Sequence, residues 1–140
     1  MKVVLDHIGI AVSNLAEALA FYRDALGFEI TVSEEVETQG VRAHFLATGG
    51  TSLELLEVTT DSSPVAQFIG HRGPGLHHIT LRVDDINQAI THLETRGVQL
   101  IDKVPRLGAR GALIAFVHPS SAHGVLVELK EEKMGINNLV

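Results

Sequence analysis

Hydrophobic and polar positions alternate along residues 7–12: Ile8, Ile10 and Val12 fall on one side, His7, Gly9 and Ala11 on the other. A period of two predicts a β-strand whose apolar face packs on something and whose second face is small or polar. The spacing then lengthens, and Leu15, Ala18, Leu19 and Tyr22 form the i, i+3, i+4, i+7 stripe of an amphipathic helix. Asn14 and Glu17 stand three apart at its start as a capping box, and Gly27 stops it. Three strand-like runs follow, about Phe28–Glu35, Val41–Thr48 and Thr51–Val58, the last two joined at Gly49-Gly50 as a hairpin.

The same order returns 71 residues later. His78-Ile79-Thr80-Leu81-Arg82-Val83 aligns with His7 to Val12, Asp85 and Gln88 make a second capping box, and Ile86, Ala89, Ile90 and Leu93 repeat the helical stripe, which ends at Gly97. Strand-like runs at about Val98–Val104, Ala112–His118 and Val125–Lys130 complete the second copy. Between the copies, Ser63 as N-cap and Pro64 at the first helical position predict a short helix over about Val65–Gly70, followed by a Gly73-Pro74-Gly75 loop. The expected fold class is α+β, two tandem βαβββ modules with curved sheets, in one domain spanning residues 1–140. Module one takes about 1–60, a linker 61–76, module two 77–131, and a short tail 132–140.

Composition narrows the function. With 140 residues and 45% hydrophobic content the chain can bury a core without cross-links. It has no cysteine, which excludes disulfide scaffolds, zinc ribbons and thiol catalysis. The first residues carry Lys2, Asp6 and His7 among their apolar positions, unlike a signal peptide or membrane span, so a cytosolic (cytoplasmic) location and no membrane partner are expected. A formal charge of −6 with no basic-aromatic cluster argues against nucleic acid. Eight histidines remain to be explained.

Two of them recur by symmetry. His7 and His78 each open the polar face of the first strand of a module, and the last strand of each module carries a glutamate between apolar residues, as Leu53-Glu54-Leu55 and Val127-Glu128-Leu129. Taken singly, each is read as a solvated or hydrogen-bonded residue. Taken together, one His and one Glu from each module make a mixed nitrogen and oxygen donor set for a divalent ion such as Co²⁺, Mn²⁺, Ni²⁺, Zn²⁺ or Mg²⁺. An octahedral ion held by His7, Glu54, His78 and Glu128 would keep two positions for a chelating substrate.

Wider motifs extend the pattern. Asp6-His7-Ile8-Gly9, Phe21-Tyr22 with Leu26-Gly27, Gln39-Gly40-Val41, Leu53-Glu54-Leu55-Leu56, Ser63-Pro64, Gly75-Leu76-His77-His78, Pro105-Arg106-Leu107-Gly108, Phe116 with His118-Pro119, and Gly124-Val125-Leu126-Val127-Glu128 occur in that order. The ordered set resembles the vicinal oxygen chelate superfamily, and within it the methylmalonyl-CoA epimerases. The resemblance implies an isomerase that interconverts the (R) and (S) epimers of methylmalonyl-CoA at C2, removing and returning a proton through a metal-chelated enolate, as in propionate metabolism. It implies His7, Glu54, His78 and Glu128 as metal ligands, Glu128 as one acid/base group, an acyl-CoA substrate and a homodimer. Some members carry a second glutamate where this chain has Ala43. Alternation turns the neighbouring His44 to the opposite face, which leaves Glu54, a bound water or a loop side chain for the other acid/base group, with Glu54 the first choice because a pseudo-twofold relation to Glu128 would place it on the opposite side of the substrate.

Arg72, Arg106 and Arg110 lie in predicted loops and are candidates for the phosphate end of CoA. His77 is expected on the packing face, and His71, His92, His118 and His123 on surfaces or turns, with His118 singled out by its motif. The same donor set also suits a glyoxalase I-type lactoylglutathione lyase. An extradiol dioxygenase would leave one of the four donors unused, and a metal-free binding module of the same fold would need none of them.

Overall fold

The computed structural model describes residues 1–132, so all of the expected tail except Glu132 lies outside the described residues. The chain divides into two units, His7–His77, and Met1–Asp6 together with the chain from His78 on. Each repeats one plan.

In the His7–His77 unit, β1 (Val3–Val12, whose first four residues count with the other unit) leads to α1 (Leu15–Leu19), then β2 (Glu29–Val36), β3 (Val41–Ala47), β4 (Ser52–Val58) and α2 (Pro64–Arg72). The sheet order is β2-β3-β4-β1, with β1 parallel to β4 and the other neighbours antiparallel. A parallel pair needs a crossover, and the α1 segment with the β2–β3 hairpin supplies it. Asn14 caps α1 as the sequence predicts, its side chain accepting from the Glu17 amide at 3.1 Å. The helix does not stay α-helical to Gly27. After Leu19 it widens into a π-helical stretch over Ala20–Ala25, closed by the Leu26 amide donating to the Phe21 carbonyl at 2.9 Å. Gly27 then takes the left-handed conformation (φ 85°) expected of a residue just past a helix. Val12, Leu19, Leu46 and Leu55 form the core under this helix, with Ile10, Leu15, Ala18 and Tyr22 against them.

The other unit runs β5 (Gly75–Val83), α3 (Ile86–Thr95), β6 (Arg106–Leu107), β7 (Leu113–Val117) and β8 (Val127–Glu131), in the order β5-β8-β7-β6. Again the first strand is parallel to the last, and the remaining neighbours are antiparallel. Asp85 caps α3 through the Gln88 amide at 3.0 Å. Ile86, Ala89 and Ile90 bury against Val83, Ala115, Val117, Val127 and Leu129.

One predicted strand is corrected. Val98–Val104 does not form a strand; Leu100 makes a single bridge to Val117, and the pairing with β7 moves to Arg106–Leu107. Asp102 explains the interruption, because its carboxylate accepts the Phe116 amide at 2.8 Å while the amides of Ile101 and Asp102 both turn to the Phe116 carbonyl. The side chain has taken a ladder position, and Pro105, which lacks an N–H, cannot restore it.

The Gln39-Gly40-Val41 and Ser63-Pro64 motifs meet at one joint. Ser63, 2% exposed, accepts from the Val65 amide at 3.1 Å as the N-cap of α2 and donates to the Gln39 carbonyl at 2.7 Å. Gly40 adopts φ 62°, and a Cβ there would sit 2.5 Å from Thr60 Oγ1 and 2.9 Å from Ser63 Cβ. The motif holds α2 against the end of β3.

Candidate metal and acid/base site

The registers of the two parallel pairs place the candidate donors. In β1–β4, Gly9 lies opposite Glu54; in β5–β8, Thr80 lies opposite Glu128. Gly9 and Thr80 each stand two residues after a histidine, and residues two apart on a strand share a face. The local geometry therefore puts His7 beside Glu54 and His78 beside Glu128 by the same construction. His7 Nε2 lies 3.6 Å from Glu54 Oε1, and His78 Nε2 lies 3.9 Å from Glu128 Oε1. All four residues are buried, between 4% and 7% exposed.

A phenylalanine completes each pair. Phe45 pairs with Glu54 across β3–β4 and meets the His7 ring edge-on at 5.6 Å; Phe116 pairs with Glu128 across β7–β8 and meets the His78 ring edge-on at 6.2 Å. The two phenylalanines are also 71 residues apart. That spacing was the available signal for Phe45, which sequence reasoning passed over. Near-perpendicular ring contacts of this kind favour one arrangement of imidazole and phenyl ring over others.

The separations of 3.6 and 3.9 Å are longer than hydrogen bonds. A buried imidazole and carboxylate held apart in this way are compatible with a divalent ion between them, since such an ion takes neutral imidazole nitrogen and carboxylate oxygen together. His7, Glu54 and His78 are of metal-ligating type and buried.

The other candidates separate by face. Ala43 is fully buried and pairs with Leu56 and Glu34, on the same side of β3 as Phe45. His44 turns the opposite way, as alternation predicts: its Nδ1 lies 2.8 Å from Ser33 Oγ and its Nε2 3.1 Å from Glu57 Oε1. His77 packs edge-on against Phe68 of α2 at 4.9 Å, and burial lowers its pKa below the ordinary histidine value, an effect partly offset by the charge of Glu54. His118 has a turn role, its Nδ1 accepting from the Ser120 amide at 3.0 Å. His71 sits in the last turn of α2, its Nδ1 2.8 Å from the Gln67 carbonyl.

Of the three arginines, Arg106 is placed best with respect to a donor pair. Its guanidinium lies 5.4 Å over the Phe116 ring, and its Nε is 3.4 Å from Asp102. Arg72 lies over Phe68 at the end of α2, and Arg110 holds a left-handed conformation (φ 59°) in a short turn.

The family model for the Glyoxalase/Bleomycin resistance protein/Dioxygenase superfamily matches residues 6–116. The chain belongs to this superfamily. Within it, the chain is 38% identical over 130 residues to the mitochondrial methylmalonyl-CoA epimerase of Dictyostelium discoideum, covering 91% of this chain and 78% of the relative. It is 45% identical to the uncharacterized protein YqjC of Bacillus subtilis, with 92% of each chain covered. Among solved structures, a methylmalonyl-CoA epimerase in complex with methylmalonyl-CoA and NH4+ superposes with a TM-score of 0.84 at 37% identity, covering 93% of this chain and 94% of that one. The βαβββ plan of each unit is thus that of the vicinal oxygen chelate fold, and the chain groups with the methylmalonyl-CoA epimerases of this superfamily. Among the described residues, no helix is long and apolar enough to cross a membrane.

Proposed function

We propose that this protein interconverts the two C2 epimers of methylmalonyl-CoA, and that His7, Glu54, His78 and Glu128 together hold one divalent ion. The observation that carries the reading is the repeated register, which sets a buried His beside a buried Glu in both units. A chain keeping two copies of a costly buried arrangement is best explained by a shared ligand. The epimerase relatives, which span over nine-tenths of the chain, favour this reaction over glyoxalase-type chemistry on the same donor set.

When bound, the ion supplies positive charge for the thioester oxygen, on which negative charge develops as the C2 proton leaves. The residues do the rest. His7 and His78, each held by a phenylalanine edge, contribute neutral imidazole nitrogen. Glu128, as the carboxylate, takes the proton from C2 on one face and becomes the acid; Glu54, starting as the acid, gives its proton to C2 on the other face and is left as the carboxylate. In the opposite direction the two exchange roles. Each carboxylate regains its starting protonation through solvent. Arg106, held over Phe116, meets the phosphate end of the acyl-CoA.

Incubating metal-loaded protein with one epimer and following the epimer ratio tests the assignment. The expected result is approach to a mixture of both epimers, abolished by a chelator. A metal-loaded protein that leaves the epimer unchanged but converts a glutathione hemithioacetal would transfer the site to the lyase reading.

A further inference from the structure

The two donor pairs share one construction but differ at the position that the first strand of each unit sets opposite the glutamate. Opposite Glu54 the register places Gly9, which has no side chain; opposite Glu128 it places Thr80. Thr80 Oγ1 donates to Glu128 Oε1 at 2.7 Å, with Thr80 fully buried and Glu128 7% exposed. A hydroxyl bonded to a carboxylate at this distance in a buried setting is among the stronger hydrogen bonds a side chain makes. It also has a geometric effect. The terminal torsion of a glutamate is soft, so its carboxylate plane is free to turn unless something engages one oxygen. Thr80 engages Oε1, the oxygen 3.9 Å from His78 Nε2, and so fixes the plane of the carboxylate.

We infer that Thr80 is a positioning residue for Glu128: its hydroxyl orients the carboxylate that joins His78 in holding the ion and exchanges the C2 proton. The inference rests on the reading given under Proposed function. It makes the two halves of the site unequal, with Glu128 tied by a side-chain hydroxyl and Glu54 facing a glycine across the same register. The burial of Thr80 alone does not account for the hydroxyl, because valine has nearly the same shape and would fill the space without a polar atom.

The test compares Thr80→Val with Thr80→Ser. Metal-free proteins are titrated with Co²⁺ by calorimetry, a readout that needs no turnover, and kcat and KM are then measured at saturating Co²⁺. Partners that orient metal ligands typically contribute about 10- to 100-fold in affinity, so Thr80→Val should weaken Co²⁺ binding by that factor. It should also lower kcat more than it changes KM. Thr80→Ser, which keeps the hydroxyl, should restore most of the affinity. Unchanged Co²⁺ affinity in Thr80→Val overturns the inference, as does a Thr80→Ser protein as weak as the valine variant. Should Thr80→Val fail to fold, Thr80→Ala against Thr80→Ser makes the same comparison. Wild-type protein that binds no Co²⁺ would overturn the proposed function and this inference together; wild-type binding with an equally tight Thr80→Val overturns the inference alone.

Discussion

Single residues carry the chemistry. Glu128 is buried, tied to Thr80, and faces His78, so replacing its carboxylate by an amide of the same shape tests its role without removing its packing. Positioned acid/base groups contribute about 10² to 10⁴ in rate. Glu128→Gln should therefore lower epimer interconversion by at least about 10²-fold while the melting curve of the metal-free protein stays close to wild type. Arg106 offers a different test, because its side chain is partly exposed and it adjoins the His78–Glu128 pair through the Phe116 ring. A charge-assisted bond to phosphate contributes about 1.5–3 kcal/mol, so Arg106→Ala should raise KM for the acyl-CoA by roughly tenfold or more at nearly constant kcat, measured by initial rates. The four candidate donors were legible in the sequence because the repeat singled them out twice. Thr80 was visible only as a member of the polar face; its bond to Glu128 depends on the parallel register of β5 and β8, which no local pattern fixes.

At the scale of elements, period and capping chemistry predicted the helices and most strands. Asn14, Asp85 and Ser63 all cap where their spacing places them. What local pattern missed is competition between a side chain and the backbone. Asp102 occupies the Phe116 amide and ends a strand that hydrophobic residues 98–104 predicted, and the widening of the first helix after Leu19 leaves no mark in its apolar stripe. The Gln39-Gly40-Val41 motif, read in the sequence as an epimerase-like segment, here has a structural task at the joint with α2. Ser63 makes two hydrogen bonds there while almost fully buried. Loss of an N-cap costs about 0.5–2 kcal/mol, and Ser63→Ala should fall at the upper end because the Gln39 carbonyl also loses its donor. Gly40→Ala should be more damaging, combining a left-handed backbone with contacts no Cβ can keep. Urea denaturation of the two variants checks the order; a Gly40→Ala protein as stable as wild type would contradict the packing described for this joint.

At the scale of the whole molecule, the His7–His77 unit is continuous in sequence, whereas the other takes Met1–Asp6 from the far end of the chain. Units of this size bury a modest core alone, and we propose that the two unfold together as the single domain read from the sequence. Thermal melting of the metal-free protein should show one transition, with two separate transitions arguing for independent modules. A ligand that binds only the folded chain stabilises it by about 2.7 kcal/mol at a hundred times its dissociation constant. Saturating Co²⁺ or Mn²⁺ should therefore raise the melting temperature by several degrees, and His7→Ala or His78→Ala should fold yet lose that rise. Fold class and candidate donors were readable from one chain because duplication displays each candidate residue against a copy of itself. The asymmetries, Gly9 against Thr80 and Ala43 beside Phe45, need strand register to acquire meaning.

Proton exchange at C2 tests the proposed epimerisation and its dependence on the ion together. One methylmalonyl-CoA epimer is incubated with metal-loaded protein in D₂O, and deuterium entering C2 is followed by NMR. Rapid incorporation is expected, stopping when a chelator strips the ion and returning when the ion is restored. No incorporation by the metal-loaded protein, or incorporation that continues undiminished after chelation, would contradict the proposed function.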